Sequence, residues 1–121
     1  MAWGAKVDMT QLTSVSSTEQ YFTTFILLNP GELSHLECEL DPVGTPTDDM
    51  IINLYGTLDD GSENWDDKPF MSFTIPNSPD PCKKSVIVSG VYRFRVGAAA
   101  SGATDTHTSV DCSYRLDGVS A

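Results

Sequence analysis

The chain has 121 residues, enough for one domain with one sizeable core. Its 17 acidic and 7 basic residues give a formal net charge of -10, which argues against a nucleic-acid backbone or an anionic membrane as partner. The longest apolar stretch, Phe25 to Leu28, is far too short for a transmembrane helix, and no basic region followed by an apolar segment opens the chain, so no secretory signal is expected.

Met1 to Gln20 is rich in Ser and Thr and shows no helical stripe. It reads as an extended arm or a first edge strand. Trp3, Val7, Met9 and Leu12 are its contact candidates, because an indole so near a chain end gains by docking on its own domain or on a neighbour. Tyr21 to Leu28 is apolar on both parities, as in a strand covered on both faces. The outer cover is expected from the arm or from another chain. Asn29-Pro30-Gly31 follows as a turn.

Ser34 to Leu40 alternates, with Leu36, Cys38 and Leu40 inward and His35, Glu37 and Glu39 outward. After a Pro- and Gly-containing loop, Met50 to Leu58 is the next strand. Ile52, Leu54 and Leu58 face inward there, and Gly56 is a bulge candidate. Asp59 to Lys68 is an acidic loop, Pro69 to Ile75 a strand, and Pro76 to Pro81 a proline-rich connection. Val86 to Val96 is read as one strand, apolar at Val86, Val88, Tyr92, Phe94 and Val96, with Arg93 and Arg95 on its other face. Gly97 to Thr106 is a loop. Thr108 to Leu116 closes the fold, with Val110, Cys112, Tyr114 and Leu116 on one parity and Arg115 on the other. Seven or eight short strands and no helix predict an all-β antiparallel sandwich, jelly-roll or immunoglobulin-like. Residues 1–20 form its arm or edge strand and 21–121 its body.

Chemistry-bearing constellations are sparse. Asp59, Asp60, Glu63, Asp66 and Asp67 offer oxygen ligands, but not in the EF-hand order, so a solvated turn is expected and no metal is assigned. Trp65, inside that loop, suits a glycan platform, a lid over the core or a subunit contact. His35 and His107 have no nucleophile elbow beside them, no phosphate loop is present, and neither an enzyme nor a cofactor is expected. Arg93, Arg95 and Arg115 are read as a basic stripe, either paired with Glu37, Glu39 or Asp111 or facing acidic groups of a partner. Cys38, Cys82 and Cys112 fit neither a disulfide framework nor a zinc site. They read as reduced thiols, with one pair linking in an oxidising medium as the alternative.

Several blocks carry a resemblance. Gly90-Val91-Tyr92-Arg93-Phe94-Arg95-Val96 resembles the penultimate strand of fibronectin type III domains, although that family's early Trp strand is not evident. Ala2-Trp3-Gly4, Phe22-Thr23-Thr24, Leu28-Asn29-Pro30-Gly31-Glu32, Tyr55-Gly56-Thr57-Leu58-Asp59 with Trp65-Asp66, and the stretches from Ser89 to Gly97 and from Ser101 to Thr106 are similar to small virion proteins of tailed bacteriophages. The ending Leu116 to Ser120 is similar too. Some such proteins decorate the outside of the head. The resemblance implies a structural, non-enzymatic role: reinforcement of a phage capsid by bridging its subunits, on the capsid exterior, after synthesis in the host cytoplasm. The partners implied are the major capsid protein and the chain itself, as a homotrimer. A tail, neck or fibre component and a carbohydrate-binding module are the alternatives.

Overall fold

The computed structural model describes residues 3–41, 47–60, 64–102 and 106–117. Among these described residues there are nine strands: β1 (Val7–Asp8), β2 (Gln20–Tyr21), β3 (Ile26–Leu27), β4 (Leu33–Leu40), β5 (Met50–Thr57), β6 (Met71–Ile75), β7 (Cys82–Val88), β8 (Arg93–Ala100) and β9 (Val110–Asp117). They make two antiparallel sheets, β1-β9-β4-β7 and β2-β8-β5-β6, with β3 also on β8.

The short β2 and β3 are two halves of one strand. Tyr21 lies opposite Gly97 and Ile26 opposite Phe94, so the chain gains two residues on its partner between them. With these halves counted together, the sheet orders become first-eighth-third-sixth and second-seventh-fourth-fifth. That is the double Greek key of a jelly roll. An immunoglobulin order would keep the first two strands in one sheet; here they lie in different sheets. Only the β5–β6 connection stays within a sheet.

The core lies between the sheets. Leu36, Cys38 and Leu40 on β4, Val110 and Cys112 on β9, Ile52 and Leu54 on β5, and Phe94, Val96 and Ala98 on β8 are all buried. Each inner position alternates with an outward one, so the sequence periodicity translates directly into the two-layer block.

The stretch from Val86 to Val96 is not one strand. It breaks after Val88, turns through Gly90 at φ 75°, and crosses to the other sheet as β8. Even-numbered residues point inward both before and after the crossing, so a crossover and a single long strand give the same alternation. The loop expected from Gly97 is strand up to Ala100. Gly56 is not a bulge, because the β5–β8 register runs unbroken through Gly56 and Phe94. A Cβ at Gly56 would stand 3.3 Å from Val91 Cγ1 and 3.5 Å from Phe70 Cδ1, so glycine makes room for these two side chains. Leu58 lies past the end of β5 and is 88% exposed rather than inward.

Residues 3–16 lie along β9 as an edge of the fold. Gly4 N, Met9 N, Leu12 N and Val15 N donate to the carbonyls of Leu116, Cys112, Val110 and His107. Met9 and Val15 enter the core, and Leu12 packs against it. Met9 is thus turned inward rather than toward a partner, while Trp3 and Val7 stay exposed. Trp3 docks on its own domain, 5.7 Å from the ring of His35. Ala100 N then donates to Ser16 O, and the chain crosses to the other sheet's edge at β2.

Candidate binding face

β8 organises the outer surface of its sheet. Arg93, Arg95 and Gly97 point outward, opposite Thr57, Tyr55 and Asn53 of β5 and Leu27 and Tyr21 of the split strand. Phe25 and Trp65 complete the set. The apolar outer parity of Tyr21 to Leu28 is not covered by residues 3–16, which lie along the other sheet. Tyr21, Phe25 and Leu27 on that parity stay exposed, and the arginines of β8 lie against the rings of Tyr21, Phe25 and Trp65. The guanidinium of Arg93 sits 4.0 Å from the centre of the Phe25 ring and 5.7 Å from that of Trp65. That of Arg95 sits 3.7 Å from Tyr21, 5.4 Å from Trp65 and 5.6 Å from Tyr55. Ring faces attract cations, and the attraction grows as water is excluded.

This corrects the basic stripe. Arg93 is only 2% exposed, and its Nη1 donates to the Asp59 carbonyl at 2.6 Å. Arg95 is half-buried, and its Nε is shielded from water without a hydrogen-bond partner among the described residues. Arg115 belongs to the other sheet, where it donates to Gly4 O. Glu37, Glu39 and Asp111 also lie on that other sheet, and Lys83 meets the two glutamates. Strand parity put the arginines outward correctly, but it carried no information about which rings would close over them.

Trp65 is half-buried, with its ring 6.0 Å from Phe25. A backbone bond from Asp66 N to Gly56 O pins its loop to the end of β5. Glu63 lies outside the described residues. Asp59 and Asp60 are used locally: Tyr92 donates its hydroxyl to the Asp60 carboxylate. Among the described residues no group of three or more His, Cys, Asp or Glu is gathered for a metal.

The sequence reading missed Glu19. Its carboxylate accepts from Tyr55 Oη at 2.6 Å and from Asn53 Nδ2 at 2.7 Å, and Ser72 Oγ donates to Asn53 in turn. This polar rail passes over Gly97, where a Cβ would stand 2.9 Å from the Glu19 carboxylate and 3.1 Å from Tyr21. A glycine amid apolar strand residues was the one sequence signal of that close approach. Burial raises the Tyr21 and Tyr55 phenols above the ordinary tyrosine value, and the Glu19 carboxylate raises them further, against the opposing effect of Arg95.

Between Tyr21, Phe22, Thr23, Phe25, Trp65 and Arg95 lies an open cleft of about 270 Å³. It joins aromatic walls to the Arg95 cation and to two hydroxyl-bearing residues, Tyr21 and Thr23. A second apolar surface lies at the end of the sandwich, where Leu58, Phe70 and Tyr92 are exposed near a cleft of about 460 Å³ between the 28–33 and 89–92 turns. Neither histidine reaches the β8 face: His35 lies under Trp3, and His107 is buried in a bridge to Val15. Comparison with known protein families, with characterised proteins and with solved structures finds no match to this chain.

Proposed function

We propose that this chain is a structural virion protein that decorates a phage capsid and stabilises it by bridging capsid subunits, using the β8 face as its docking surface. The observation that carries the reading is the composition of that face. Tyr21, Phe25 and Trp65 hold Arg93 and Arg95 against the sheet, and Trp, Tyr and Arg are the residues that dominate protein–protein binding energy. The sequence blocks similar to phage virion proteins supply the partner, and viral capsid domains are among those built on jelly rolls. Binding only the assembled shell would stabilise it by mass action, and a homotrimer would multiply weak contacts through effective concentration. The test is cryo-microscopy of purified virions. The expected result is density on the head exterior at local three-fold positions with the β8 face toward the shell, and at least about tenfold lower occupancy for Arg95→Ala. Particles lacking the chain, or full occupancy by the variant, would overturn the reading; density at the tail or neck would relocate it.

A second reading, a carbohydrate-binding module, is favoured by the cleft walled by Tyr21, Phe25 and Trp65, since lectins also use this fold. Glycan-array binding that is lost in Trp65→Ala would support it over the capsid reading.

A further inference from the structure

We propose that Cys38 and Cys112 are a site of covalent modification: a disulfide linking β4 to β9 through the core when the chain folds under oxidising conditions. The two residues are direct register partners, and their Sγ atoms lie 3.4 Å apart. The Cys112 carbonyl points away from β4 and accepts from Met9 N on the opposite side. Cys112 and Cys38 are therefore a non-hydrogen-bonded pair, the kind whose Cα atoms approach to about 4.5 Å. That spacing lies at the near end of the disulfide range of roughly 4.4–6.8 Å. Both side chains are buried on the same inner face, so a small change of χ1 brings sulfur to sulfur without moving either strand. Cys82 lies one strand further on, opposite Leu40, and is diagonal to Cys38 rather than facing it.

The reaction removes one hydrogen from each thiol. Oxidised glutathione accepts both and leaves as two reduced glutathione molecules, with a mixed disulfide as the intermediate. The finished core has no room for that intermediate, so the exchange runs before β9 docks. The link then joins residues 74 positions apart, which strongly restricts the unfolded chain.

The test is refolding of the full chain in a buffer of reduced and oxidised glutathione, followed by peptide mapping and thermal melting. The expected product is lighter by about 2 Da, linked Cys38 to Cys112, and free to alkylate at Cys82. It melts roughly 10 °C or more above the reduced protein. Cys82→Ser should leave the link and the shift intact. A native oxidised product in which Cys38 and Cys112 stay reduced, a link made through Cys82, or a linked form that melts no higher would each overturn the proposal.

Discussion

The two outer faces of the sandwich treat their cations differently. On the β4 side, Lys83 stands 3.7 Å from Glu37 and 3.8 Å from Glu39, and Lys6 stands 3.4 Å from Asp8, with every partner reached by solvent. Such pairs lose to solvation and side-chain entropy most of what they gain in attraction. On the β8 side, Arg93 and Arg95 lie against rings, with much of their water removed. A planar, weakly hydrated guanidinium tolerates that position, whereas an ammonium would not. Arginine on a strand therefore has no fixed meaning. The first face is organised for solvent, and the second keeps aromatic surface and cationic groups together in the composition of a binding face.

The largest effects should come from stripping the second face. Arg93→Met removes a charge-assisted bond to the Asp59 carbonyl and the cation–ring contacts of a side chain that is itself buried, so a loss of about 2–3 kcal/mol is expected in urea unfolding. Gly97→Ala comes next. Its new methyl group meets the Glu19 carboxylate, which cannot move without releasing Tyr55 and Asn53, so about 1–3 kcal/mol is expected. A loss under about 0.5 kcal/mol in both variants would mean that the rings and the rail add nothing beyond an ordinary surface.

Much of the layer structure was legible in the sequence, because alternation is a local signal. Leu36, Cys38 and Leu40, and Val110 and Cys112, occupy the inward positions that their parity assigns. What was not legible depends on residues distant in sequence. The crossover at Gly90 preserves parity and so leaves no break in the pattern. The cover over Arg93 and Arg95 comes from Phe25 and Trp65, about 70 and 30 positions away, and nothing local encodes that meeting. The N-terminal stretch has weak alternation because its hydrogen bonds to β9 come as isolated bridges separated by unpaired residues.

A smaller effect, and one specific to the β8 face, is alkaline titration. Tyr21 and Tyr55 hold their protons above the ordinary value of 10.0, chiefly through burial and then through Glu19. A phenol that binds its proton more tightly when folded favours the folded state fully below that pH and loses the advantage as pH rises above it. Stability should therefore be insensitive to these groups up to about pH 10 and fall beyond it, with phenolate absorbance appearing late. Glu19→Gln removes the nearby negative charge, so the Tyr55 and Tyr21 transitions should move to lower pH. Unchanged transitions would show that Glu19 does not act on the phenols.

The smallest effect belongs to the β4 face and is the control for the whole comparison. Lys83→Met deletes the cation shared by Glu37 and Glu39 and leaves the two carboxylates in solvent contact, free to rehydrate. The change in unfolding free energy should stay within about 0.5 kcal/mol and should shrink further at high salt, since the Debye length falls from about 10 Å at 0.1 M to about 3 Å at 1 M. Arg93→Met, measured in the same two salts, should keep most of its cost, because the Arg93 side chain is buried against its ring and is poorly reached by mobile ions. If both variants respond alike to salt, the arginines of β8 are ordinary surface charges, and the physical distinction between the two faces disappears with them.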